Sequence, residues 1–246
     1  MRSYAIGDIH GHLDKLKAVH RWIDADKART GDSGAPVVHL GDLVDRGPDV
    51  PGVLDYLGAG LNAGEPWVLI RGNHDRMMWH FLQDPAQPDP LRRDLSWLQP
   101  TIGGRQTLAG YGIDIAADRP IDAIHAEARA VVPAAHLDLL ASLRTSFSRN
   151  GVYFCHAGIR PGVPLDQQAE DDLVWIRAEF HDDSRDHGAL IVHGHTPVKD
   201  VTNYGNRVNI DTGAAYGGPL SAVVFEDGNV WQVTQSGRAP VRNRLR

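Results

Sequence analysis

Val37-Val38-His39-Leu40-Gly41-Asp42-Leu43-Val44-Asp45-Arg46-Gly47-Pro48 is the stretch that decides the fold. The mostly apolar run Val37 to Leu40 stops abruptly at a glycine followed by charged side chains, the pattern of a buried strand whose carboxyl end delivers polar groups. The same pattern precedes it at Tyr4 to Ile6, before Gly7-Asp8-Ile9-His10-Gly11, and follows it at Val68 to Ile70, before Arg71-Gly72-Asn73-His74-Asp75. Open α/β sheets place ligands at such strand ends. Between the first two runs, Leu13, Leu16, Val19, His20 and Ile23 recur at helical spacing, which predicts an amphipathic crossover helix. A second helix is expected from Val50 to about Leu61, ending near Gly64, and the β-α-β-α-β order predicts a partly parallel sheet.

The middle of the chain is broken by Asp84-Pro85, Pro88, Asp89-Pro90, Pro100 and Gly103-Gly104, so loops with one short helix are expected around Leu91 to Leu98. Helical periodicity returns from Pro133 to Leu143. From there the chain reads mostly as strands: Val152 to Cys155, Leu190 to Val192, Arg207 to Ile210, Ser221 to Phe225 and Val230 to Val233. Asp227-Gly228-Asn229 forms a hairpin turn between the last two. An α/β half thus meets a β-rich half within one domain, residues 1–237, and 238–246 reads as a basic, solvated tail.

With 246 residues and a formal charge of −6, the chain can bury a sizeable core and shows no electrostatic case for wrapping nucleic acid. Its one cysteine, Cys155, excludes an internal disulfide and reads as a small buried hydrophobe rather than a nucleophile. No run approaches the ~18 apolar residues of a membrane helix, and the amino-terminal residues lack the basic start of a signal peptide. A cytoplasmic location, without nucleic-acid or membrane partners, is the expectation.

Five strand ends carry the chemistry. Asp8 and His10, one residue apart, point the same way and are good ligands for a borderline divalent metal. Asp42 has two oxygens that two metals can share. Asn73 offers a neutral oxygen, and its neighbour His74 is free to carry a proton. His156-Ala157-Gly158 and His193-Gly194-His195-Thr196-Pro197 complete the set. Each cluster alone is a common turn or cap, but five strand ends bearing Asp, Asn or His beside glycine are not readily assigned to turns.

The ordered set GDIHG, GDLVDRGP, RGNHD, HAG and GHTP, from Gly7 to Pro197, resembles the phosphoprotein phosphatase family of calcineurin-like metallophosphoesterases, bacterial type. The resemblance implies an α/β fold of two mixed β-sheets packed as a sandwich flanked by helices. It further implies two divalent metal ions, manganese with iron or zinc as alternatives, one held by Asp8, His10 and Asp42 and the other by Asp42, Asn73, His156 and His195. His193 is then a supporting or core residue. His74, oriented by Asp45, becomes the proton donor, and Arg46 a phosphate-binding arginine.

For the second phosphate-binding arginine, Arg177 in Trp175-Ile176-Arg177 is taken, with Arg160 and Arg185 as alternatives and Trp175 as core packing. The implied reaction is hydrolysis of phosphate monoesters, phosphoserine and phosphothreonine or phosphotyrosine on proteins, by direct in-line attack of an activated water. The implied partner is a phosphorylated protein or small phosphoester, and no regulatory subunit is evident. Two other readings are a symmetrical diadenosine tetraphosphate hydrolase and a non-catalytic metal-binding scaffold. Asp45 and Thr196-Pro197 depart from the hydrolase pattern, and a complete motif set disfavours the scaffold. Asp75 and the stretch Gly213 to Gly218 depart from the eukaryotic enzymes, so their inhibitors and subunits do not carry over.

Overall fold

A computed structural model of the chain describes residues 1–116 and 118–244. The first strand β1 (Arg2–Ile6) leads into α1 (Leu13–Thr30), β2 (Val37–His39), α2 (Val50–Asn62), β3 (Trp67–Leu69) and α3 (Asn73–Gln83). Three helices follow, α4 (Gly104–Gly110), α5 (Ile121–Val131) and α6 (Ala134–Ser142), then β4 (Ser146–Arg149) and β5 (Val152–Cys155). The rest comprises α7 (Glu170–Trp175), α8 (Ala178–His181), β6 (Leu190–His193), β7 (Thr202–Asn203), β8 (Arg207–Asn209), β9 (Ala222–Glu226), β10 (Asn229–Thr234), β11 (Gly237–Pro240) and β12 (Arg242–Asn243).

Two six-stranded mixed sheets form a sandwich flanked by helices. The first has the order β11-β10-β9-β1-β2-β3 and the second β12-β7-β8-β6-β5-β4. Side-chain alternation builds the layers. In β1, Tyr4 and Ile6 face the helices α1 and α2, whereas Ala5 faces the second sheet. In β5, Phe154 enters the space between the sheets, joining Val38, Leu40, Val192 and Val223, while Tyr153 and Cys155 face α7 and α8. Fully burying each such aliphatic or aromatic side chain stabilises by roughly 1.5–3 kcal/mol relative to exposure.

The crossover helices run where the apolar spacing placed them. Asp49 caps α2 by accepting a hydrogen bond from Gly52 N at 2.9 Å, and Pro51 lies in its first turn. Asp227 and Gly228, at φ 50° and 80°, make the β9–β10 turn, with Glu226 opposite Asn229.

Several features depart from the sequence expectations. No helix forms at 91–98, and the regular structure of the middle lies instead in α4 and α5. The third motif opens helix α3, an element for which the sequence reading has no assignment. The β-rich half does not stand apart, because β9 returns to pair antiparallel with β1 in the first sheet. Residues expected as a tail from Arg238 form most of β11 and all of β12, which pair with β10 and β7. Leu245 and Arg246 of that tail lie outside the described residues. Among the described residues no helix is long and apolar enough to cross a membrane.

A buried ion cluster explains β11. Asp26 of α1, only 4% exposed, accepts hydrogen bonds from Tyr4 Oη at 2.8 Å, Arg29 Nη2 at 2.6 Å and Arg238 Nη2 at 2.8 Å, and Arg238 also pairs with Glu226. Burial favours the neutral acid, but the bonds from Arg238, Arg29 and Tyr4 prevail and hold the Asp26 carboxyl at about 2. A depressed folded-state pKa stabilises above the unfolded value near 3.8, and the gain is lost as pH falls through about 2. Asp26→Asn is therefore expected to cost roughly 1–2 kcal/mol at neutral pH after allowance for solvent screening. The gap from the parent protein in urea titrations should narrow between about pH 4 and pH 2; a gap constant across that window would exclude this account.

Candidate active site

The carboxyl ends of β1, β2, β5 and β6 and the amino terminus of α3 converge on one cleft of about 220 Å³, lined by Asp8, His10, Asp42, Arg46, Asn73, His74, Arg177 and His195. His156, fully buried, stands beneath it. All ten residues singled out from the sequence, Asp45 included, thus gather in or directly behind one site.

Asp42 is its centre. The ligand atoms of His10, Asp42 and His74 lie within 4.8 Å of one another, and so do those of Asp42, His156 and His195. Asp42 Oδ1 accepts His74 N at 3.0 Å and lies 3.4 Å from His156 Nε2, while Oδ2 lies 3.4 Å from His10 Nε2. Asp8 falls outside both tight triplets but shares the cleft, and its Oδ2 accepts His195 N at 3.0 Å.

The donor chemistry of this cluster fits divalent cations. His10 Nδ1 donates to Val44 O at 2.9 Å and His156 Nδ1 to Leu40 O at 2.8 Å, so in the neutral imidazoles both Nε2 lone pairs face inward. His156 Nε2 then confronts Asn73 Oδ1 at 3.0 Å, one acceptor against another, and Asp8 Oδ1 is buried without a hydrogen-bond partner among the described residues. Inward-facing acceptors of this kind suit a cation.

The electrostatics agree. Burial, then the charges of Asp211 and Asp42, push the Asp8 carboxyl well above its ordinary range. Burial and Asp42 push Asp75 up to about 7. Burial raises the Asp42 carboxyl, but whenever His156, His74 and His10 carry protons their charge prevails and holds it well below the carboxylate range. Burial, then His156 and Arg177, keep His195 neutral far below its usual range, the form in which imidazole binds metal.

Beside this centre, His74 Nδ1 donates to Asp45 Oδ2 at 2.7 Å, leaving Nε2 turned toward the site, 3.9 Å from Asp42 Oδ2. Arg46 reaches His10 Nε2 at 3.3 Å and Thr101 O at 3.4 Å, with Tyr216 stacked 5.3 Å from its guanidinium. Arg177 reaches His195 Nε2 at 3.1 Å. The alternatives Arg160 and Arg185 do not line the cleft and pair with Asp172 and Asp183. His193 is buried and accepts Arg207 Nη1 at 3.1 Å, as a core residue. Trp175 is packed, as expected, and also borders the cleft: its Nε1 donates to Asp89 at 3.1 Å. Cys155 is buried and free, and burial pushes its thiol far up.

The sequence reading overlooked four cleft or supporting residues. Asp211 follows Arg207 to Ile210 in the same strand-then-aspartate pattern as Asp8 and Asp42, and that pattern could have found it. Tyr216, Trp97 and Thr107 carry no local signal.

Comparison with known proteins accords with this geometry. A family model described as calcineurin-like phosphoesterase matches residues 1–225, and the chain belongs to that family. It is 27% identical over 228 residues, 90% of this chain and 89% of the relative, to a bis(5'-nucleosyl)-tetraphosphatase PrpE [asymmetrical] of Anoxybacillus flavithermus. A protein of the same name from Bacillus subtilis is 24% identical over 240 residues, 90% of each chain. Among solved structures, one provisionally named a diadenosine tetraphosphatase aligns with a TM-score of 0.62 at 22% identity, covering 94% of this chain and 92% of that one. A cold-active protein-tyrosine phosphatase of a Shewanella species aligns with a TM-score of 0.64 at 16% identity, covering 98% and 80%. At these identities the structures show a shared fold.

Close approach of the backbone is a condition of the site. A Cβ at Gly72 would lie 2.1 Å from Asp42 Oδ1 and 2.3 Å from Asp42 N. Gly72→Ala is expected to destabilise by about 1–3 kcal/mol. Gly58→Ala, in α2 with nothing within 4 Å of the new methyl, should instead be neutral or stabilising. Thermal unfolding of the two variants checks this, and equal midpoints would refute it.

Proposed function

We propose that this calcineurin-like phosphoesterase hydrolyses phosphate monoesters, phosphoserine and phosphothreonine on proteins foremost. The observation that carries the reading is the pairing of His74 with Asp45 beside a shared Asp42 and two cleft arginines. Asp8, His10 and Asp42 are proposed to hold one divalent ion, and Asp42, Asn73, His156 and His195 the second, with manganese the first choice and iron or zinc the alternatives. Such ions, when bound, lower the pKa of water and offset the negative charge of the phosphate.

The chain's own residues supply the rest. Arg46 and Arg177 flank the centre and are placed to grip phosphate oxygens by charge-assisted hydrogen bonds that tighten as charge develops. His74 donates a hydrogen bond from Nδ1 to Asp45, and its Nε2 is the atom that delivers a proton to the departing oxygen.

A second reading, asymmetrical hydrolysis of dinucleoside tetraphosphates, has its own support. It differs in cleavage mode from the symmetrical hydrolysis weighed from the sequence, and its support is that relatives matching nine-tenths of the chain are named for the asymmetrical one. Tyr216, 67% exposed and stacked on Arg46, also offers an aromatic surface beside the phosphate site.

The deciding assay follows metal-dependent hydrolysis of p-nitrophenyl phosphate, a phosphoserine peptide and diadenosine tetraphosphate. His74→Asn is expected to lower kcat by about 10²–10⁴, and Arg46→Ala to lower kcat/KM by roughly 10²-fold. Preference for the peptide supports the first reading. Preference for the dinucleotide with ATP and AMP as products, and a loss of about tenfold in Tyr216→Ala on that substrate alone, supports the second. Inactivity on all three with manganese, iron and zinc would sink both.

A further inference from the structure

We propose that Trp97 and Thr107 are positioning residues for the proton donor: they lock the Asp45 carboxylate so that His74 stays aimed at the departing oxygen. The proposal rests on the phosphoesterase reading above and adds to it residues that no motif contains.

Asp45 has no exposed surface, and its backbone sits at φ 71°. A carboxylate is an acceptor only, so each of its oxygens needs donors once water is excluded. The structure provides them from two separate elements. Trp97 Nε1 lies 3.1 Å from Oδ1 and 3.0 Å from Oδ2, bridging the carboxylate edge. Thr107 Oγ1 of α4 donates to Oδ1 at 2.7 Å and accepts Asp45 N at 3.0 Å, holding side chain and backbone together. With His74 Nδ1 on Oδ2, rotation of the carboxylate would disrupt its bonds to all three donors at once.

The two donors are themselves fixed. Trp97 is 4% exposed and packs on Phe81 of α3 with ring centroids 4.9 Å apart, and the ring leaves no room for a Cβ at Gly104, which would lie 2.6 Å from it. Thr107 is fully buried. The segment that carries Trp97 is anchored again through Asp89, which accepts Arg76 Nε and Nη2 at 2.8 and 2.9 Å and Trp175 Nε1 at 3.1 Å. This segment therefore does more than join α3 to α4. An imidazole freed from its carboxylate can turn about its side-chain bonds, and a misaimed donor slows proton transfer without weakening substrate binding.

The test separates positioning from packing through the leaving group. Phenolate is a poor leaving group and needs the proton, whereas p-nitrophenolate needs it far less. Metal-loaded parent protein, Trp97→Phe, Thr107→Val, Thr107→Ser and His74→Asn are assayed on phenyl phosphate and p-nitrophenyl phosphate, with folding checked by near-UV circular dichroism. Trp97→Phe and Thr107→Val are expected to lose about tenfold in kcat on phenyl phosphate and less than about threefold on p-nitrophenyl phosphate, with KM within about twofold. Thr107→Ser, which keeps the hydroxyl, should stay within about twofold of the parent on both. Equal losses on the two esters, a Thr107→Ser as impaired as Thr107→Val, or no loss at all would overturn the proposal. A His74→Asn protein with the parent's leaving-group dependence would refute the proton-donor reading itself and remove the proposal with it.

Discussion

A single buried carboxylate, Asp42, holds the site together and makes it depend on the whole sandwich. It is 2% exposed at the end of β2, and its two oxygens face imidazoles delivered by β1 and β5. A buried charge of this kind is costly unless paired and hydrogen-bonded. The pairing is distributed across both sheets, since His156 and His195 follow β5 and β6, whereas Asp8 and Asp42 follow β1 and β2. His156 Nδ1 donating to Leu40 O is the seam, and it lies against the core that Val38, Leu40, Phe154 and Val192 form between the sheets. The site is therefore a property of the assembled core rather than of any one loop.

Strain gathers at the same place. Among the described residues seven non-glycine residues have positive φ, and five of them are His10, Asp42, Asp45, Arg46 and His195. Such conformations cost on the order of 1–3 kcal/mol each and persist where surrounding structure over-determines them. Here the over-determination is visible: Gly41, at φ 92°, lets the β2 end approach Gly72 so closely that a Cβ would lie 2.4 Å from Gly72 N. Gly72 in turn leaves room for the Asp42 carboxylate. The glycines of GDLVDRGP and RGNHD are thus spatial necessities.

What the sequence made legible was local in origin. Apolar runs ending in glycine and a polar side chain marked β1, β2, β3, β5 and β6, and the helical spacing of Leu13 to Ile23 marked α1, because periodicity records which face is buried. Helix α3 escaped because its start lies inside the motif: Gly72, not serine or threonine, precedes it, and Asp75 supplies the cap by accepting Gly72 N at 2.8 Å. The edge strand β11 escaped because its stability comes from Arg238 meeting Asp26, a contact spanning 212 residues that no local pattern encodes. Trp97 reached Asp45 across 52 residues for the same reason. Asp211, by contrast, obeyed the strand-end rule and was simply passed over.

Helix α3 shows how the fold tempers the excess of buried negative charge. Its first turn meets Asp42, with His74 N donating to Oδ1 at 3.0 Å, so the positive end of the helix dipole faces the central carboxylate. Asp75, in that same first turn, accepts Leu43 N at 2.8 Å as well as Gly72 N, tying the loop after β2 to the loop after β3. Its carboxyl is pushed up to about 7 by burial and by Asp42, yet those two backbone donors favour the charged form. Neutralising the negative charge of Asp42 would relieve Asp75 also. The supporting carboxylate and the central one are therefore coupled, and the loops that carry Asp42, Asp45, Asn73 and His74 are set by the same few hydrogen bonds that balance the site's charge.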